Sequence, residues 1–315
     1  MSTHHGHYDH ILDPPRLEEV ADHVFAYVQP DGTWWINNTG FIVGDDGVVA
    51  IDTCATEART RRFLEHMGSV TEEPLRLLVN THHHGDHTHG NYLTYPAVIV
   101  GHDRCREAMI ASGIHRYEGI FGDPEPDWGE LELAPPMLTF SDQLHVHTGE
   151  IGIELQYIGT PAHTTNDIVA WLPEQRTIFT GDLVFNEGTP FVLMGSVTGA
   201  LEAITRLRRF DAEVIVPGHG PVCDNSVLDR LVSYFEFVQR VAADAHSSGV
   251  TPLEAALATD LGEFAELTDA ERIVGNLHRA MFEIRGAEPG APMDLGAAIG
   301  DMITYNGGRP LRCLA

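Results

Sequence analysis

Basic side chains are scarce: Lys and Arg number 19 against 46 Asp and Glu, for a formal net charge of −27. Binding to nucleic acid or to an anionic membrane surface draws on clustered Lys and Arg, so no nucleic-acid and no membrane partner is expected. Long apolar runs are missing as well. No stretch reaches the roughly 18 residues of a membrane-spanning helix. The N-terminus is polar and histidine-rich rather than basic and then apolar, so it does not read as a secretory leader, and a cytoplasmic location is the expectation. Cysteine is sparse. Cys54, Cys105, Cys223 and Cys313 lie far apart without a CxxC pair, which argues against a zinc ribbon and a disulfide framework and leaves reduced thiols.

What the chain has in concentration is histidine. Thr81 to Gly90 holds His82, His83, His84, His87 and His89 together with Asp86, and it follows the apolar run Leu75 to Val79, which reads as a buried strand. Imidazole and carboxylate in one short stretch suit Zn, Fe or Mn. His82, His84, Asp86 and His87 spell HxHxDH. Two residues apart in extended backbone, His82 and His84 share a face, whereas Gly85 permits a turn that carries Asp86 and His87 to a neighbouring point. That geometry points to two metals. His83 and His89 point away from this face and are expected to be dispensable for metal. The plainer reading, a histidine-rich surface loop, fails on what lies downstream. His163 in Thr160-Pro161-Ala162-His163, Asp182 in Thr180-Gly181-Asp182 and His219 in Pro217-Gly218-His219-Gly220 each close an apolar run.

HxHxDH, then a lone His, then Gly-Asp, then Gly-His-Gly, in that order, resembles the metallo-β-lactamase superfamily over about residues 20 to 225. The resemblance implies an α/β fold, the four-layer αββα sandwich, here with a C-terminal helical appendage. By ligand type, His82, His84 and His163 give one metal three neutral nitrogens. Asp86, His87 and His219 hold the second, and Asp182 bridges the pair. The cofactors expected are two divalent metal ions, zinc first, with iron and manganese served by the same ligands. Such a centre generates a hydroxide nucleophile at neutral pH. Asp86 and Asp182 are the candidate catalytic carboxylates. Asp52, which ends an apolar strand, is expected to support the metal loop by accepting hydrogen bonds from it or from a ligand histidine.

Along the chain, residues 1–16, with His4, His5, His7 and His10, read as a disordered tract, 17–225 as the sandwich and 226–315 as helical. Short β-rich runs at Val24–Val28, Gly40–Val43 and Val48–Ile51 are antiparallel strands, and Thr56–Met67 has helical spacing. Another strand at 97–100 and a short helix at 103–112 precede an irregular stretch, about 115–136, rich in Gly and Pro and carrying Tyr117, Phe121 and Trp128; it is read as a loop packed over the site. Strands resume at 144–147, 151–157, 168–172 and 177–180. The hairpin from Ile168 to Asp182 echoes the one from Ile42 to Asp52, each ending in a carboxylate. Helices follow at 226–246, 252–259, 269–285 and 293–305, with His278 an ordinary helix residue.

Relatives that are β-lactamases of the major zinc class carry cysteine where this chain has Asp182, and glyoxalase II holds glutathione with basic residues of its C-terminal helices, a cluster missing from 225–315. Trp128-Gly129-Glu130-Leu131-Glu132-Leu133, Thr189-Pro190-Phe191, Gly195-Ser196-Val197, Ala242-Ala243-Asp244-Ala245, Asn276-Leu277-His278-Arg279-Ala280, Tyr305-Asn306-Gly307-Gly308 and Cys313-Leu314-Ala315 resemble the superfamily's cyclase/thioesterases of aromatic polyketide biosynthesis. This implies an apolar or aromatic acyl substrate carried as a thioester, with a carrier protein as the substrate's bearer and a homo-oligomer as the further partner expectation. A lactone or ester hydrolase is the alternative. A di-iron redox protein is the reading from another class, opposed by the lack of room for a flavin domain after 225.

Overall fold

The computed structural model describes residues 12–115, 117–122 and 125–315. Seven strands, hydrogen-bonded in chain order, make the first sheet: β1 (Arg16–Ala21), β2 (Val24–Val28), β3 (Thr39–Gly44), β4 (Gly47–Ile51), β5 (Leu75–Val79), β6 (Val98–His102) and β7 (Leu138–Phe140). β8 (Gln143–Thr148), β9 (Ile151–Tyr157), β10 (Ile168–Leu172), β11 (Thr177–Phe185) and β12 (Val214–His219) make the second, again in chain order. The steps from β1 to β4 and from β8 to β11 are antiparallel; those from β4 to β7 and from β11 to β12 are parallel. A parallel step needs a crossover. Helix α1 (Glu57–Val70) supplies it between β4 and β5, and the histidine loop with its single turn α2 (Gly85–Thr88) between β5 and β6. Helix α3 (Asp103–Ser112) leads toward β7, and α4 (Val197–Leu207) connects β11 to β12.

Period-two alternation sorts the strand residues into layers. Val49 and Ile51 of β4 face Ile168, Ala170 and Leu172 of β10 in the core between the sheets. Val48 and Ala50 turn the other way, onto Phe63 and Met67 of α1. Val169 and Trp171 of β10 face outward into a third core, shared with α4 and the C-terminal helices α5 (Val227–Ser248), α6 (Pro252–Ala258), α7 (Arg272–Ile284) and α8 (Leu295–Tyr305). Helix, sheet, sheet, helix is the four-layer αββα order expected. The C-terminal helices are part of its outer layer.

The structure adds to the sequence reading at several points. β1 begins at Arg16, inside the tract expected to be disordered; residues 1–11, with the four N-terminal histidines, lie outside the described residues. Helix α4 and strand β7 were not anticipated. Ser196 caps α4 by accepting the Gly199 N–H at 2.9 Å, and Val197, Ala200, Ala203, Ile204 and Leu207 form its buried face. The echoed hairpins are both present, but β11 runs on to Phe185, so Asp182 sits within the strand rather than closing it. The irregular loop after α3 is tied down by the chain end: Gly122 N–H donates to Leu311 O at 2.7 Å and Leu311 N–H to Ile120 O at 2.8 Å.

Candidate metal centre

Strand ends from both sheets meet at one end of the sandwich, and the sequence-selected residues lie there. β5 delivers His82 and His84, and α2 carries Asp86 and His87. The turn between β9 and β10 brings His163, while β11 supplies Asp182 and β12 ends on His219. His82, His84, His163 and Asp182 offer ligand atoms within 4.8 Å of one another; so do Asp86, His87, Asp182 and His219. Asp182 belongs to both groups. His84 Nδ1 lies 3.2 Å from His82 Nε2 and 2.8 Å from His163 Nε2. One Asp182 oxygen lies 3.0 Å from His87 Nε2, the other 3.3 Å from His163 Nε2 and 3.4 Å from His219 Nε2.

Each imidazole has its other nitrogen engaged, which fixes the ring. His163 Nδ1–H donates to Phe191 O at 2.5 Å and His219 Nδ1–H to Gly32 O at 3.0 Å. His82 Nδ1 meets Thr81 Oγ1 at 3.1 Å, and His87 Nδ1 meets Asp52 Oδ2 at 2.8 Å. His84 Nε2 finds a softer neighbour, the Met194 thioether, at 3.3 Å. Two glycines set Asp182 in place. Gly181 has φ +50°, and a Cβ on Gly218 would stand 2.0 Å from Asp182 Oδ1.

The donor set fits a metal pair. His87 Nε2 and Asp182 Oδ1 are buried, 3.0 Å apart, and hydrogen-bond no described group. Buried polar atoms rarely go unpaired, and two such atoms aimed at a common point have the geometry of ligands. Burial disfavours charge on Asp86 and Asp182, yet the surrounding imidazoles, His87 and His219 above all, hold both carboxyls below the usual range. Burial likewise works against His219, but Asp182 and Asp86 raise it to about 9. Burial and neighbouring imidazoles push His82 and His84 well down. His83 and His89 lie outside both groups: His83 Nδ1 pairs with Asn166 at 3.0 Å, and His89 stacks on Trp35 and donates to Ala55 O at 3.2 Å.

An apolar pocket opens onto the centre. Trp34, Trp35, Tyr117, Phe121, Phe185, Phe191, Leu193 and Met194 line it beside His84, Asp86, His163, Asp182 and His219. Trp128, expected among them, is not in the lining and packs behind Trp35 with ring centroids 4.9 Å apart. The far wall, which no motif announces, is built from Leu295, Ile299 and Met302 of α8, Leu311, and the buried Arg272 of α7. Arg272 lies 2.8 Å from Asp269 and 4.1 Å over the Trp34 ring. Its signal was one Arg at a buried helix position, which sequence alone does not distinguish from a surface one.

Among the described residues no helix is long and apolar enough to cross a membrane. The chain is 34% identical over 230 residues to the "Beta-lactamase-like protein 2 homolog" of Caenorhabditis elegans, covering 72% of this chain and 70% of that protein. It is 24% identical over 215 residues to the "Atrochrysone carboxyl ACP thioesterase" of Aspergillus fumigatus, covering 67% of this chain and 58% of that protein. A solved metallo-beta-lactamase from Pontibacter korlensis superposes with a TM-score of 0.59 at 21% identity, covering 71% of this chain and 99% of that one. The family model described as "Metallo-beta-lactamase superfamily" matches residues 32–219, and the chain belongs to that superfamily.

Proposed function

We propose that this protein is a dinuclear metal hydrolase of thioester or ester carbonyls with an apolar, aromatic acyl group. His82, His84 and His163 would hold one ion and Asp86, His87 and His219 the other, with Asp182 belonging to both groups. Two divalent ions held there, zinc first, would supply a water of pKa about 7 and a Lewis acid for the substrate carbonyl. The protein's part is positioning. Hydrogen bonds to the Asp52 carboxylate, Gly32 O and Phe191 O, with the Thr81 Oγ1 contact to His82, point the imidazoles inward, and the Asp86 carboxylate orients the attacking water. The aromatic walls exclude bulk water and bind the acyl body by its apolar faces.

The observation that carries this reading is the pocket: ring and aliphatic side chains lead directly to the ligand groups, with Arg272 the one Lys or Arg among the described residues of the lining. A sugar or nucleotide would ask for more hydrogen-bonding groups there. The Aspergillus relative named as an acyl-carrier-protein thioesterase supports the acyl class, and the carrier-borne substrate belongs to the same proposal. The test is a panel of aryl thioester, ester, lactone, phosphodiester and β-lactam on the zinc-loaded protein. The thioester is expected to turn over fastest; faster cleavage of the phosphodiester or the lactam would defeat the reading.

A further inference from the structure

The histidine loop holds more imidazole than the two ligand groups use. His83 and His89 stand outside both groups and line a second cavity, of about 60 Å³, roughly four to six water-sized places. This cavity shares His84, Gly85, Tyr117 and Met194 with the apolar pocket, so the two meet beside the candidate metal ligands. Their linings differ in kind. Rings and aliphatic chains dominate the first, whereas in the second Thr88, Ser112, His115 and Glu132 join His83 and His89 and stand among Met109, Ile114, Leu133 and Ala134. His83 spends Nδ1 on Asn166, and its Nε2 has no hydrogen-bond partner among the described residues. His89 donates from Nδ1 to Ala55 O, which leaves its Nε2 as an acceptor. The cavity therefore offers hydrogen-bonding groups beside a scissile carbonyl whose acyl side is apolar.

We propose that this second cavity, where His83 and His89 stand beside the shared ridge of Tyr117 and Met194, is the leaving-group subsite and takes a thiol bearing a neutral, hydrogen-bonding group such as an amide. The inference rests on the hydrolase reading above and adds the orientation of the substrate: acyl body toward Trp34 and Phe191, leaving group toward His83 and Ser112. In the reaction water gives its oxygen to the acyl carbon, the C–S bond breaks, and the thiol departs with the sulfur electron pair and a proton. An amide beyond the sulfur would offer the His83 and His89 imidazoles a partner, whereas an alkyl group of similar length would leave them unpaired.

The experiment compares two thioesters of one aryl acid on the zinc-loaded protein, one with N-acetylcysteamine and one with 1-pentanethiol, its alkyl counterpart of equal chain length, each rate divided by that ester's hydroxide hydrolysis rate to remove thiol acidity. The expected result is a kcat/KM about three- to tenfold higher for the amide-bearing ester, the worth of one or two neutral hydrogen bonds. Ser112→Phe, which narrows the cavity from the exposed end of α3, brings that ratio close to one, and His115→Phe, also at an exposed position, does the same. A wild-type ratio of one, as for a channel that carries only water, overturns the subsite and leaves the hydrolase reading standing. A preference that survives both substitutions overturns it too. Cleavage of neither ester overturns the hydrolase reading and the subsite with it.

Discussion

Asp52 Oδ2 lies 2.8 Å from His87 Nδ1, and the same carboxylate accepts the Thr81 N–H and hydroxyl at 2.7 Å each. Since Thr81 Oγ1 also meets His82 Nδ1 at 3.1 Å, one carboxylate just beyond β4 supports a candidate ligand of each metal. Asp52 is fully buried at φ +60°, a backbone conformation that costs about 1 kcal/mol or more outside glycine. Asp52→Asn keeps the shape but turns an N–H toward the His87 N–H or loses the Thr81 bond. Metal affinity or turnover is expected to fall about 10- to 100-fold. Wild-type metal content together with wild-type turnover would reduce Asp52 to a strand-end carboxylate.

Two transition-metal equivalents per chain are expected by elemental analysis after saturation. His219→Ala leaves one, whereas His83→Ala and His89→Ala retain two, because neither imidazole is in either ligand group. At most one equivalent in the wild-type protein would contradict the dinuclear assignment, and loss of a metal in His83→Ala would contradict the register of the loop.

The glycine before His219 is fixed by close approach. A Cβ at Gly218 would stand 2.0 Å from Asp182 Oδ1 and 2.8 Å from Asp182 N. Gly218→Ala therefore has to displace the Asp182 carboxylate or part β11 from β12, a strain of about 1–3 kcal/mol. Because Asp182 belongs to both candidate groups, metal titration is expected to show both sites weakened together. Unchanged affinity at both sites would contradict the proposal that Asp182 bridges them.

Arg272 and Asp269 form a nearly solvent-free pair in the wall of the apolar pocket, with side-chain exposures of 1% and 3%. Burial already pushes the Asp269 carboxyl up to about 7 with Arg272 beside it, so removing the cation leaves a carboxyl that takes up a proton at neutral pH. Arg272→Met is expected to cost about 1–3 kcal/mol in denaturant unfolding, more at pH 9 than at pH 6, and Arg272→Met with Asp269→Asn to regain part of it. Additive costs in the double variant would show that the pair is not coupled.

How far the sequence reaches is decided by what each feature depends on. His82, His84, Asp86, His87, His163, Asp182 and His219 were legible because ligand chemistry resides in residue type and spacing, and strand alternation was legible because one face of each strand meets a core. Helix α8 shows the limit. Leu295, Ile299 and Met302 recur at helical spacing, which says that the helix buries a face but not that the face closes the pocket. The hydrogen bonds from His163 to Phe191 O and from His219 to Gly32 O end on backbone carbonyls, which no residue type announces. Tyr117, Phe121 and Trp128 sat together in one irregular stretch, yet only two reach the pocket, because ring placement there depends on contacts with Trp35 and the chain end.

The pocket also predicts an acyl preference. Trp34 meets Phe191 edge-on at 5.0 Å and Phe121 at 5.4 Å, and Phe185 lies parallel to His219 at 5.1 Å, so the walls present ring faces and edges right up to the ligands. A flat aryl group gains area burial and ring contacts worth about 0.5–1.5 kcal/mol per aromatic pair, which a short alkyl acyl group does not. With the leaving group held constant, kcat/KM is expected to rise from acetyl to benzoyl to naphthoyl. Phe191→Ala should flatten the series chiefly by raising KM for the larger acyl groups, because a wall that binds ground state and transition state alike acts on binding rather than on the chemical step. His163 Nδ1 bonds the Phe191 carbonyl, not its ring, so the truncation leaves that hydrogen bond available. A flat or falling series in the wild-type protein, or equal loss for acetyl and naphthoyl in Phe191→Ala, would show that these rings are core and not an acyl pocket.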